Sequence, residues 1–199
     1  MSAFYTIVNS VESLVKEKGS KFIGLAHPVQ SEEEIKVLLE GIKRKYRDAQ
    51  HHCYAWMLGL EQSVIRTHDD GEPSHSAGDP ILGQIKSYGL TNVLVVVVRY
   101  FGGTKLGVGG LISAYKMASE EALSKAQMKQ IFERVEVVFT FEYPQLSTVE
   151  RLITDFSIEV SERIFLEACK VVGKLKKDDL TRFEQRTKDF FNIAITTLS

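Results

Sequence analysis

Residues 93–98 read Val-Leu-Val-Val-Val-Val, an unbroken apolar run between Asn92 and Arg99. β-Branched side chains favour extended backbone, so the run predicts a strand from Asn92 to Phe101. Every position is apolar rather than every second one, which requires both faces of that strand to be covered. A chain with such a strand must fold in layers, with a central strand between other elements. The run is far too short to cross a bilayer, which needs about 20 apolar residues. No segment of the chain is expected to span a membrane.

The strand runs into Arg99-Tyr100-Phe101-Gly102-Gly103-Thr104-Lys105-Leu106-Gly107-Val108-Gly109-Gly110, five glycines and two cations in twelve positions. A helix follows, from about Gly109 to Ala126, with Leu111, Tyr115, Ala118, Ala122 and Ala126 on its inward face. Glycine costs folding entropy, and such turns accept it where the backbone takes φ > 0 or approaches another group closely. The glycines either let the helix pack tightly on the sheet or shape an anion site from backbone N–H groups and the helix N-terminus. Five in one turn favour the anion site. Candidate phosphate or nucleic-acid contacts are therefore Arg99, Tyr100, Gly102, Gly103, Lys105, Gly107, Gly109 and Gly110, with Arg99 suited to a two-pronged bond to phosphate or carboxylate. The spacing is neither a P-loop nor a dinucleotide fingerprint, so no nucleotide cofactor is implied.

Around this feature the chain reads as α+β. Two strands and a hairpin turn at residues 16–20 open it, and Ser31 followed by Glu32, Glu33 and Glu34 starts a helix that ends near Arg47. A strand from Cys53, a polar loop to Gly78 and a short helix beginning at Asp79-Pro80 and stopping at Gly89 lead into the valine run. Apolar periodicity lapses over residues 127–133, which places a domain boundary at about 132. The remainder, 133–199, reads β-α-β-β-α-β, the ferredoxin-like order.

Two further constellations carry chemistry. Asp69, Asp70 and Glu72, with Ser74 close by and His68 and His75 flanking, suit either solvated turns or acid/base work. No metal is predicted there, and Ser74 and Ser76 beside His75 have no assignable third group for nucleophilic catalysis. Lys43, Arg44, Lys45 and Arg47 form the most basic stretch, with Tyr46, Tyr54 and Trp56 near it. It suits phosphates and unstacked bases, or is a solvated helix end. Cys53 and Cys169 read as small buried hydrophobes.

Lys plus Arg number 25 against 26 Asp plus Glu, so the chain has no overall field to draw a polyanion, and any such binding must use a local patch. The N-terminus lacks the basic stretch and apolar core of a secretory signal, and the expected location is cytoplasmic.

Three motifs in order, His51-His52-Cys53-Tyr54-Ala55-Trp56, Asp69-Asp70-Gly71-Glu72-Pro73-Ser74 with Ala77-Gly78, and Arg99 through Leu111, closely resemble the YigZ/IMPACT family. The family's His-Asn-Cys-Tyr reads His51-His52-Cys53-Tyr54 here, and its Ser-Gly-Thr-Ala-Gly reads Ser74-His75-Ser76-Ala77-Gly78. The resemblance implies a ribosomal protein S5 domain 2-like fold over 1–132 and a ferredoxin-like domain over 133–199. The pair is similar to adjacent terminal domains of translocation-type elongation factors. It further implies ribosome or RNA partners and a part in translation regulation, since the eukaryotic IMPACT protein is a translational regulator. The leading expectation is a non-enzymatic RNA- or ribosome-binding protein without a cofactor. The alternative is an enzyme on a small phosphorylated or peptide substrate, using the acidic loop and the glycine turn.

Overall fold

The computed structural model describes residues 4–60 and 64–198. The chain separates into two compact units, Met1–Ile131 and Phe132–Ser199. The first contains β1 (Phe4–Ile7), β2 (Val11–Glu17), β3 (Ser20–Pro28), α1 (Glu32–Lys45), β4 (His51–Leu58), β5 (Val64–His68), α2 (Gly78–Ser87), β6 (Val93–Tyr100), α3 (Gly107–Ser124) and β7 (Met128–Ile131). A five-stranded sheet of order β2-β3-β6-β4-β5 puts the valine strand in the middle, and all its pairings are antiparallel.

Alternation along β6 then divides two cores. Val93, Val95 and Val97 pack with Ile81 and Ile85 of α2 and Leu111 and Tyr115 of α3, while Leu94, Val96 and Val98 pack with Ile35, Ile42 and Tyr46 under α1. The unit is a three-layer stack of α1, sheet, and α2 with α3. α1 begins as expected, with the Ser31 hydroxyl accepting the Glu34 N–H at 3.2 Å.

The second unit contains β8 (Arg134–Phe141), α4 (Leu146–Asp155), β9 (Glu159–Phe165), β10 (Cys169–Lys176), α5 (Leu180–Thr187) and β11 (Ile193–Leu198). Its sheet has the order β11-β8-β10-β9, also antiparallel. Phe183 of α5 is fully buried and meets the Phe139 and Phe156 rings edge-on, with centroids 6.0 Å and 5.2 Å away.

Three local expectations are corrected. The opening segment holds three strands rather than two, because β1 leaves the main sheet and pairs with β7 as a separate ribbon. β5 and β7 are strands that the sequence pattern does not announce: both are short and mostly exposed, so neither shows an apolar alternation. Asp79 does not cap α2; the N-cap residue is Ala77, and the carboxylate that serves this helix is Asp69, which accepts from the backbone eight and nine positions on, at Ala77 and Gly78.

The α3 backbone lies directly on β3. Ser13 Oγ donates to the Ala118 carbonyl at 3.2 Å, and a Cβ added at Gly24 would stand 2.3 Å from that same oxygen. Gly24→Ala should therefore destabilise the protein by about 1–3 kcal/mol. The measurement is a lowered urea midpoint at unchanged m-value.

Candidate functional site

β6 is paired with β3 on one side and β4 on the other, Lys21 opposing Tyr100 and His51 opposing Arg99. This register gathers the glycine turn, the β2–β3 hairpin, the start of β4 and the loop 69–78 at one end of the sheet. Gly102 is there for packing: a Cβ on it would lie 1.9 Å from the carbonyl carbon of Gly19, in the hairpin turn. Gly103 and Gly107 supply the left-handed backbone, at φ 88° and 71°. Gly109 has open space where its Cβ would be, and Gly110 would meet the Leu106 Cβ at 3.0 Å.

Arg99, suited by sequence to phosphate or carboxylate, is turned inward onto a carboxylate of the chain itself. Its side chain is 7% exposed and donates from Nη1 to Glu72 Oε1 at 2.6 Å, and the Glu72 side chain is 4% exposed. The guanidinium lies between the Phe22 and Phe101 rings, 5.4 Å and 5.6 Å from their centroids. Glu72 Oε1 also accepts the Tyr115 hydroxyl at 2.7 Å. Arg99 points inward because a buried carboxylate needs a cation more than solvent does. Arg99 Nε is buried without a partner among the described residues.

Cys53 completes the cluster. Its Sγ donates to the Asp69 carbonyl at 3.0 Å and lies 3.3 Å from the Tyr115 hydroxyl. Burial, reinforced by the Glu72, Asp70 and Asp69 carboxylates, pushes the Cys53 thiol up to about 12, so it is not a thiolate at neutral pH. Burial likewise raises the Tyr115 phenol far above its ordinary value. Sequence reasoning placed Tyr115 on a helix face and missed its hydroxyl. The available signal was a tyrosine among alanines on an apolar stripe, whose hydroxyl must find a partner when buried.

The other acidic-loop residues hold the backbone. Asp69 accepts N–H bonds from Ala77 at 3.0 Å, Gly78 at 2.8 Å and His75 at 2.9 Å. Burial alone would raise the Asp69 pKa, but these three backbone bonds outweigh it and hold the carboxyl below its usual range. Asp70 Oδ2 accepts the His52 N–H at 2.7 Å, and the Asp70 carbonyl accepts from His51 Nδ1 at 2.8 Å. A carbonyl only accepts, so His51 carries its proton on Nδ1 and turns Nε2 toward Glu72 Oε1, 3.8 Å away. Ser74 is exposed, and Ser76 is buried with its hydroxyl on the Pro73 carbonyl. Among the described residues, no group of three or more His, Cys, Asp or Glu is placed to hold a metal ion.

The outward surface of this end is basic and amide-rich. The Phe101 and Gly102 N–H groups are taken by Gln50 Oε1 at 2.9 Å and Ser20 Oγ at 3.1 Å. The anion-facing part of the turn is therefore the start of α3, whose N-cap residue Leu106 provides no side-chain bond and whose first turn has no acidic residue. Gly107, Val108 and Gly109 are exposed there, as is Lys105. The basic end of α1 joins this region through Tyr100, whose hydroxyl donates to Asp48 at 3.0 Å. Lys43, Arg44 and Arg47 are exposed, while Lys45 is paired with Glu12 at 3.1 Å. A groove of about 500 Å³ on the α1 face places Lys43 beside Tyr54, Trp56, Arg66 and His68, with Glu32, Glu33 and Glu40 also on its wall, and the Tyr54 and His68 rings stack with centroids 5.2 Å apart.

A family model described as the Impact N-terminal domain matches residues 18–123, spanning β3 to α3 and every residue of this cluster. The chain belongs to the IMPACT family. IMPACT family member YigZ of Escherichia coli is 34% identical over 165 residues, covering 77% of this chain and 81% of its own. An IMPACT family member of Thermus thermophilus is 38% identical over 156 residues, covering 78% and 84%. A crystal structure described as that of a hypothetical protein superposes with a TM-score of 0.73 at 28% identity, covering 100% of this chain and 98% of the other. One residue of the loop is strained: His75 takes a left-handed backbone, at φ 64°, which costs a side chain other than glycine.

Two outcomes follow from the geometry. Glu72→Leu leaves the Arg99 charge buried and unpaired and should cost about 3–5 kcal/mol, while Arg99→Met combined with Glu72→Leu should recover most of that loss. Urea denaturation of the single and double variants reads the coupling, and simple additivity would refute the paired-charge account. At the strained position, His75→Gly should hold or raise stability by up to about 1 kcal/mol, whereas His75→Val should lower it by about 1–2 kcal/mol. Thermal melts rank the two.

Proposed function

We propose that this IMPACT family member is a non-enzymatic, cytoplasmic RNA- or ribosome-binding protein that modulates translation. The observation that carries the reading is the uncapped, exposed N-terminus of an 18-residue helix that follows a cation-bearing glycine turn. Unpaired N–H groups, the positive end of the helix dipole and the exposed Lys105 make that surface attractive to phosphate. On the α1 face of the sheet, the stacked Tyr54 and His68 rings with Lys43 and Arg66 offer a second platform for unstacked bases, in a groove that also carries Glu32, Glu33 and Glu40. No helix among the described residues is long and apolar enough to cross a membrane.

The structural engagement of Glu72, Asp69 and Cys53 favours binding over catalysis, since the groups suited to acid/base or nucleophilic chemistry are committed to holding the loop. The assignment of a ribosomal protein S5 domain 2-like fold to the first unit rests on the resemblance in its motifs. The ferredoxin-like assignment of the second is supported by its β-α-β-β-α-β order and by β8 and β10 as the inner strands.

The test must spare Arg99, because its replacement would disturb the fold. Lys105→Ala, and separately Lys43→Ala/Arg44→Ala/Arg47→Ala, should weaken binding to single-stranded RNA. Each phosphate contact removed should reduce the slope of log K against log salt by roughly 0.7. Filter binding across a salt series, with ribosome cosedimentation alongside, measures both. Unchanged affinity and slope in both variants would overturn the reading.

A further inference from the structure

The β2–β3 hairpin carries three lysines outside the motifs of the site, Lys16, Lys18 and Lys21, and all three are exposed. The register sets Lys16 directly opposite Lys21, and Lys21 opposite Tyr100 of β6. Val15 and Phe22 pack into the core under α2 and α3, while Ile23 and Tyr100 pack on the α1 side. Alternation therefore turns Lys16 and Lys21 to the α1 face, in one row with the half-buried Tyr100 ring. Lys18 stands in the turn beyond them, at φ 45°.

Like charges directly opposite each other destabilise a strand pair, and the chain does not relieve this one. Among the described residues the lysine ion pairs are those of Lys45, Lys125 and Lys177, and the three hairpin lysines have no such partner. Three carboxylates lie near. Glu12 is held by Lys45 and the Tyr46 hydroxyl, Asp48 accepts the Tyr100 hydroxyl, and the half-buried Glu17 lies opposite Ser20 on the other face of the hairpin. Lysines on a sheet edge guard against pairing with another chain, but that accounts for β2 alone. Lys21 belongs to β3, which is paired on both sides.

The row also has a definite place. Gly19 lies against Gly102, and Ser20 Oγ accepts the Gly102 N–H at 3.1 Å, so the hairpin is seated on the turn that leads to Lys105 and α3. At its other end Tyr100 reaches Asp48, in the segment that leaves the basic end of α1. The lysines thus lie between two cationic surfaces, with an aromatic ring among them.

We propose that Lys16, Lys18 and Lys21, with the Tyr100 ring, form the middle of one continuous track for single-stranded RNA that joins the start of α3 to the basic end of α1. The lysines meet phosphates, and Tyr100 offers a base a face on which to stack. The proposal rests on the RNA-binding reading above and adds that a single strand crosses both patches.

The test follows fluorescein-labelled oligouridylate by anisotropy across a salt series, with the full chain. Lys16→Gln/Lys18→Asn/Lys21→Gln should bind about tenfold more weakly and lower the slope of log K against log salt by roughly 2, about 0.7 for each phosphate contact. Asparagine suits the left-handed position of Lys18, and the replaced side chains are exposed, so this variant should melt with the wild type. Lys86→Gln/Lys116→Gln/Lys129→Gln removes the same charge from exposed positions outside the row and should leave the slope unchanged. Stoichiometric titration should saturate at one oligonucleotide per chain. An unchanged slope in the hairpin variant, while Lys105→Ala lowers it, would overturn the track and leave the RNA-binding reading standing. An equal loss in the control variant, or two oligonucleotides per chain, would also overturn the track. Absence of salt-dependent binding by the wild type would overturn both. Loss of binding to phosphatidylserine vesicles in the hairpin variant, with its RNA binding intact, would reject RNA as the occupant.

Discussion

The salt bridge between Arg99 and Glu72 organises the end of the sheet on which the rest of the site is built. Two charges removed from water are tolerated only when each finds good partners, and here Glu72 has the guanidinium and the Tyr115 hydroxyl, while Arg99 has the carboxylate and two aromatic faces. The pair ties a loop to the last turn of the central strand, and Tyr115 brings α3 into the same contact. Asp69 extends the arrangement by holding the start of α2 through its backbone amides. Loop, strand and two helices thus share one network of polar groups, closed off beneath by the valine core.

That inward commitment determines the character of the surface above it. Once Arg99 is neutralised, the field outside comes from Lys105, from the exposed cations at the end of α1 and from the amides at the start of α3. The glycine turn divides its residues accordingly. Gly102 exists so that the backbone can lie against Gly19, Gly103 and Gly107 set its path, and Gly109 alone has neither crowding nor a left-handed backbone to explain it. The second unit differs in exposing apolar side chains at one end of its sheet, Tyr143, Phe165, Leu166 and Phe191.

Much of the fold was legible because its signals are short-range. The unbroken apolar run required a strand covered on both faces, Ser31 with three glutamates started α1, and alternating positions over 135–143 announced β8. β5 and β7 escaped because an exposed strand of four or five residues makes its bonds to a distant segment and leaves no pattern of its own. The site was legible in membership but not in function. The motifs named Asp69, Glu72, Arg99 and the glycines as residues that belong together, yet the choice of phosphate or carboxylate as the partner of Arg99 was settled only by the buried Glu72 side chain.

What the sequence determined by itself is therefore what depends on neighbours a few positions apart: the strand and helix periods, the helix starts, the left-handed glycines and the family's motifs. The tertiary structure alone decided which charges are spent and which remain free. Glu72 and Arg99 lie 27 positions apart, and Cys53 and Tyr115 lie 62 apart. Whether such groups meet depends on strand register and on the seating of α3 over the sheet. The same register brings Tyr143, Leu166 and Phe191 to one end of the second sheet, an arrangement no local spacing encodes. Burial raises the cost of an unpaired charge and lowers that of an apolar contact, and burial is a property of the assembled layers rather than of any stretch of chain.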